Sequence, residues 1–249
     1  MTCVRAGERS FDVDLIIFDK DGTLFDFQAM WTRLCRKQAE ALRVAAGQDA
    51  SFVVEVYTAL GVEPDGPGLD PRGPLALATG AEIEAIMAWL LYRRGVPWDE
   101  AARLARQVSA REHWPPLTDL VQPVGDVAGL LRRLRSAGVR IGVLTTDVRA
   151  MTETMLSLIG AAGLVDALVC ADDGLPFKPA PDGILALCEQ VGAPPARAMI
   201  VGDAPTDLLA GRAAGVAACV GVMSGVGRRH DLEPLADVVL DTIEQIELC

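Results

Sequence analysis

The chain has only two histidines and three lysines in 249 residues, and none of its six cysteines forms a C-x-x-C pair. His113 and His230 stand far apart without ligand-type spacing, so nothing resembles a zinc site and both are expected at the surface. Cys3, Cys35, Cys170, Cys188, Cys219 and Cys249 are scattered, which predicts packed, reduced thiols in a cytoplasmic protein rather than a disulfide frame. Long apolar runs are missing too. The longest candidate, residues 156–171, is interrupted by Asp166, short of the roughly 18–20 residues that span a bilayer. The first ten residues lack the apolar core of a signal peptide. No membrane partner is expected. Positive charge is scarce as well: the formal net charge is -11, which disfavours nucleic acid, whose phosphates reward Lys and Arg. A small molecule is the expected partner, and the composition leaves the oligomeric state open.

Against these shortages stands 51% hydrophobic content, ample for a buried core. Short apolar runs at 13–18, 139–145, 167–171, 198–202, 216–222 and 237–240 read as buried strands. Helical patterns at 127–137, 150–159, 184–191 and 206–214 alternate with them. That alternation predicts an α/β fold, a three-layer Rossmann-like core with a parallel sheet covered on both faces. The order breaks after residue 27. Helical patterns at 29–46, 52–60, 81–94 and 99–112 surround a Gly/Pro-rich loop at 61–74. The expected division is a core of residues 1–27 and 119–249 with an inserted α-helical cap domain at 28–118, its hinges near 22–27 and 114–123.

In open parallel sheets, ligands gather beyond the carboxyl ends of the strands. The first strand runs into "DKDGTL", placing Asp19 and Asp21 there; the second ends in Thr145 and Thr146; Lys178 follows the third in "FKPAPD"; the fourth ends in "GDAPTD", bringing Asp203 and Asp207. Two neighbouring carboxylates are costly unless a positive charge sits among them. Oxygen-rich ligands without Cys or His select a hard cation, and Mg²⁺ is the natural choice.

These four motifs in order resemble those of the haloacid dehalogenase superfamily, and the chain is most similar to its phosphoglycolate-phosphatase-like branch. The resemblance implies a Mg²⁺-dependent phosphatase acting on a small phosphorylated metabolite, with a role for each residue. Asp19 would be the nucleophile that forms an aspartyl-phosphate. Asp21 would protonate the leaving oxygen, later deprotonate the attacking water, and ligate the metal through its main-chain carbonyl. Thr145, the Thr146 N–H and Lys178 would hold phosphoryl oxygens; Asp203 would ligate the metal and Asp207 would act through water or orient Lys178. Gly22 would permit the sharp departure toward the cap, with Thr23 bonding in that turn.

Other residues invite plainer expectations. Lys20 should point away from its acidic neighbours if strand geometry persists. Asp147 should cap the helix that begins near Arg149. Arg33, Arg36, Lys37 and Arg43 make one side of the first cap helix basic, most simply as a solvated face, and "GRRHD" at 227–231 should be an exposed loop. A dehalogenase would find Asp21 superfluous, because a halide needs no proton, and a phosphonate hydrolase would need a cap lysine for which Lys37 is the lone candidate. A β-phosphoglucomutase-like sugar-phosphate mutase is the serious alternative. A noncatalytic regulatory module would have no need for the whole set of acids and the lysine.

Overall fold

In the computed structural model, which describes residues 2–66 and 68–249, the chain forms two units, Met1–Asp26 with Val121–Cys249, and Phe27–Leu120. The first unit carries β1 (Thr2–Ala6), β2 (Arg9–Val13), β3 (Leu15–Phe18), β4 (Arg140–Leu144), β5 (Ala167–Val169), β6 (Ala198–Gly202), β7 (Ala218–Val222), β8 (Val238–Leu240) and β9 (Ile246–Leu248). Strands β3 to β8 make one sheet in the order β5-β4-β3-β6-β7-β8, parallel throughout.

Its central strand explains the architecture. Leu15, Ile16, Ile17 and Phe18 are all fully buried, and successive side chains point to opposite faces, so both faces of the sheet must be covered. Each such burial contributes roughly 1.5–3 kcal/mol. Leu15 and Ile17 pack with Ile184 and Leu187 of the helix Asp182–Val191 and with Leu208 of the helix Pro205–Ala214. The helix Val127–Ser136 contacts β4. The register pairs Phe18 with Val143 on one side and Val201 on the other. The carboxyl ends of β3, β4 and β6 therefore finish side by side, although they lie far apart in sequence.

Three expectations need correction. The run 13–18 is two strands, because Asp14 leaves the sheet and is gripped by Arg197, whose Nη2 lies 2.7 Å from Asp14 Oδ1. A small antiparallel sheet, β2-β1-β9, was not foreseen. It needs both ends of the chain, and such pairing leaves no local pattern. The same sheet overturns the expectation of six thiols: β1 and β9 bring Cys3 and Cys249 to a Cα separation of 5.5 Å, and they are disulfide-bonded. Cys35, Cys170, Cys188 and Cys219 are free and buried.

The unit Phe27–Leu120 is helical: Arg33–Ala45, Ser51–Leu60, Gly80–Arg93 and Trp98–Ser109, with a π-helical turn at Gln28–Thr32 ahead of the first. Thr79 and Glu82 close a capping box at the start of the third. Its interior is built from Leu34, Ala39, Leu42, Phe52, Val56, Met87, Leu91, Ala101 and Leu104, all buried. The two passages out of the first unit run side by side, joined by Val124 N–H to Leu24 O at 3.0 Å and Asp26 N–H to Gln122 O at 2.8 Å. No helix among the described residues is long and apolar enough to cross a membrane.

Candidate active site

Asp19 is the first residue beyond β3, and its N–H still donates to Val201 O of β6 at 2.9 Å. The chain then curls back: the N–H groups of Leu24 and Phe25 both donate to Lys20 O, at 2.9 and 3.0 Å. Gly22 sits in that curl with φ +92°, and a Cβ there would lie 2.5 Å from Asp203 Oδ2. Only glycine meets both demands. Strand geometry ends at Phe18, and this decides where the next side chains go.

Around Asp19 the structure gathers Lys178, Asp203 and Asp207. Lys178 Nζ donates to Asp19 Oδ1 at 2.6 Å and to Asp207 Oδ1 at 2.5 Å. Carboxylate oxygens of Asp19, Asp203 and Asp207 lie within 4.8 Å of one another, and all three residues are buried. Burial pushes the Asp19 carboxyl up, Lys178 pulls it back, and Asp207 and Asp21 push it further, leaving it at about 7. Asp203 is held well above the usual carboxylate range, by burial first and by Asp19 and Asp207 next, with the Val226 N–H opposing. Burial alone would lower the Lys178 ammonium, but Asp19 and Asp207 outweigh it and hold it above the ordinary lysine range. With all three carboxylates ionised against the one ammonium, the local charge would be -2. A divalent, oxygen-seeking cation matches that deficit in both charge and donor chemistry.

Asp203 follows β6 and is fixed from two sides. Val226 N–H donates to its Oδ2 at 2.8 Å and Thr23 Oγ1 lies 3.4 Å from its Oδ1. Ser224 Oγ donates to Gly22 O at 2.7 Å. Ser224 and Val226 had not been singled out as supports; their signal was the run "SGVG" immediately after β7, another strand end on the same side of the sheet. Asp207 accepts from Ala204 N–H at 3.0 Å with one oxygen while the other holds Lys178. Thr145 follows β4, and its hydroxyl oxygen accepts from Asp147 N–H at 3.1 Å, which leaves the hydroxyl proton free to donate elsewhere. Thr145, Thr146 and Lys178 line one small cavity.

The expectations for Lys20 and Asp147 fail together. Lys20 does not point away from the acids: it is fully buried, with Nζ 2.6 Å from Asp21 Oδ2 and 3.3 Å from Asp147 Oδ2. The turn after Phe18 abolishes the alternation on which the expectation rested. Burial would lower this ammonium, but Asp21 and Asp147 more than offset it. Asp147 does not cap the helix Arg149–Leu158; Asp172 Oδ1 accepts from Arg149 N–H at 2.9 Å instead. Burial raises the Asp147 carboxyl, with Lys20 opposing.

In the helical unit, Arg36 is spent on the carbonyls of Glu63, Pro64 and Gly66, and Arg43 on Glu40. Arg33 donates to Asp119 O at 3.1 Å. With Gln28, Thr32, Lys37 and Asp65, Arg33 and Arg36 line an open groove, so this basic side is more than a featureless solvated face. The segment 227–231 ends in a short helical turn, Arg229–Leu232, with His230 exposed.

With this geometry in view, comparison with known proteins is direct. A family model described as haloacid dehalogenase-like hydrolase matches residues 13–215. The chain is 34% identical over 145 residues to validoxylamine A 7'-phosphate phosphatase of Streptomyces hygroscopicus subsp. limoneus, an alignment covering 57% of this chain and 65% of that protein. It is 26% identical over 253 residues to phosphoglycolate phosphatase of Shigella dysenteriae serotype 1, covering 94% of this chain and 91% of the relative. Among solved structures, a predicted phosphoglycolate phosphatase from Haemophilus somnus superposes with TM-score 0.70 at 21% identity, covering 93% of this chain and 95% of the other. The last likeness shows the fold. The first relative is spanned over less than two thirds of its length.

Proposed function

Because the chain belongs to the haloacid dehalogenase-like hydrolases, we propose that it is a phosphatase that hydrolyses a small phosphomonoester through an aspartyl-phosphate on Asp19. The observation that carries this is the pairing of a nucleophile-type carboxylate, fixed through Oδ1 by Lys178 at 2.6 Å, with a second carboxyl at Asp21 whose Oδ1 is buried and has no hydrogen-bond partner. A halide would leave without a proton. An alcohol oxygen needs one, and Asp21 is equipped to supply it.

In the first step the free oxygen of Asp19 attacks phosphorus, the ester P–O bond breaks, and the departing oxygen takes the Asp21 proton. In the second, water attacks the aspartyl-phosphate, its proton returns to Asp21, and inorganic phosphate leaves while the Asp19 carboxylate is restored. The Thr145 hydroxyl and Thr146 N–H would hold the phosphoryl oxygens, and Lys178 would neutralise part of their charge and keep Asp19 ionised. Asp207 orients Lys178. Asp19, Asp203 and the main-chain carbonyl of Asp21 would hold Mg²⁺, which when bound supplies positive charge against the phosphoryl oxygens. The relatives named for validoxylamine A 7'-phosphate and for phosphoglycolate share only the phosphomonoester, and only that element is carried to this chain.

The test is inorganic phosphate release from a panel of phosphomonoesters with Mg²⁺ and with chelator, wild type beside Asp19→Asn. Turnover with Mg²⁺ that vanishes in the variant, while its circular dichroism is unchanged, is expected. Phosphate transferred to a sugar hydroxyl without release would favour the mutase. Full activity of Asp19→Asn would remove the nucleophile from this scheme.

A further inference from the structure

A fully buried lysine next to a proposed general acid calls for a physical reason. Taking an ammonium out of water costs several kcal/mol unless partners compensate. Lys20 meets that cost with Asp21 Oδ2 at 2.6 Å and Asp147 Oδ2 at 3.3 Å. Its Nζ also lies 3.3 Å from Met155 Sδ and 5.8 Å from the centre of the Phe25 ring. Apolar walls on these sides and carboxylates on the others leave it one position. Asp147 is itself anchored, since its Oδ1 accepts from Val148 N–H at 2.7 Å. A continuous relay thus runs from the start of the helix Arg149–Leu158 through Asp147 and Lys20 to Asp21.

The relay holds one oxygen of Asp21 and leaves the other free. Oδ2 is tied to Lys20, while Oδ1 is buried with no hydrogen-bond partner. An aspartate with neither oxygen held would sample other rotamers. Tying both would leave none for a leaving group. We propose that Lys20, braced by Asp147, is a positioning residue that orients the Asp21 carboxyl so that Oδ1 meets the departing oxygen of the substrate. This rests on the role given to Asp21 above. Lys20 touches neither phosphate nor metal in this account; it acts through Asp21.

A lysine that merely stabilised the loop would, on removal, slow all substrates alike. A positioning residue for the acid slows the first step, which kcat/KM reports, only for those whose leaving group needs a proton; the second step, common to all esters, enters kcat alone. The experiment measures kcat and KM of the wild type, Asp147→Asn and Lys20→Met/Asp147→Asn with Mg²⁺, across ring-substituted phenyl phosphates and an alkyl phosphate. The double variant removes both charges together, and Asp147→Asn keeps the side-chain shape and the bond from Val148 should the double variant fail to fold. Expected is a loss in kcat/KM of about 10²-fold for the alkyl ester and less than about 3-fold for p-nitrophenyl phosphate, with the single variant following the same trend. In an Asp21→Ala background the same substitutions should cost nothing further. Equal loss in kcat/KM across the series, no loss in a folded variant, or additional loss in that background would each overturn the inference. A wild-type protein inactive on every ester overturns the phosphatase proposal itself, and the positioning role with it.

Discussion

Replacing Gly22 by alanine probes the acidic cluster at its tightest point, and Gly138→Ala supplies the reference. The two glycines have nearly the same backbone, φ +92° and +87°, but a Cβ at Gly138 meets nothing within 4 Å, whereas at Gly22 it would lie 2.5 Å from Asp203 Oδ2 and 2.6 Å from Asp203 Cγ. Both substitutions force a side chain into left-handed backbone at a cost of about 1–2 kcal/mol. In a chain of this size each kcal/mol lowers Tm by about 2–4 °C, so both variants should melt about 2–8 °C below the wild type. Only Gly22→Ala must also drive the Asp203 carboxylate aside, by about 1 Å if ordinary contact is to be restored, and a displacement of that size costs about 10²-fold in turnover. Thermal melts and phosphate-release kinetics with Mg²⁺ read the two effects separately. Gly138→Ala should keep kcat/KM within about 2-fold of the wild type while Gly22→Ala loses about 10²-fold. Equal activity of the two folded variants would refute the packing of Gly22 against a working Asp203.

Two further outcomes follow from electrostatics and topology. In chelator, the folded protein binds a proton at Asp19 more tightly than the unfolded chain does, with a pKa of about 7 against 3.8, so this group's penalty is full above pH 7 and disappears as pH falls toward 4. Urea midpoints at pH 5 and pH 8 should show Asp19 contributing about 3 kcal/mol in favour of the lower pH, measured as the difference between wild type and Asp19→Asn; a contribution of opposite sign would contradict it. Saturating Mg²⁺ should flatten the trend. The Cys3–Cys249 bond closes a loop with a sequence separation of 246, for which unfolded-chain entropy predicts about 5 kcal/mol. Reductant, or Cys3→Ser with Cys249→Ser, should lower the melting temperature without changing kcat, and an unchanged melt would show that β1 and β9 already hold the termini unaided.

Local chemistry was enough to place the core strands and the acids at their ends. Short continuous apolar runs that alternate with helical patterns read as strands covered on both faces, and polar groups placed just beyond such runs are brought together at one edge of a parallel sheet. That is why Asp19, Lys178, Asp203 and Asp207 could be grouped although they are spread over most of the chain. The pairings of β1 with β9 and of Cys3 with Cys249 were hidden because contacts between the two ends of a chain impose no period on either. Lys20 was misjudged for a related reason: alternation holds only while a strand continues, and the hydrogen bonds to Lys20 O that end it come from residues brought round by the turn.

By itself, then, the sequence determined the layered α/β core and the placing of the acids and Lys178 just beyond its strands, since these depend on residue type and spacing alone. Only the tertiary structure decided that Lys20 lies between Asp21 and Asp147, that Val226 and Ser224 support the site, and that the termini are joined. Those facts depend on which side chains share a small buried volume, and burial in three dimensions is not a property of any local stretch of chain.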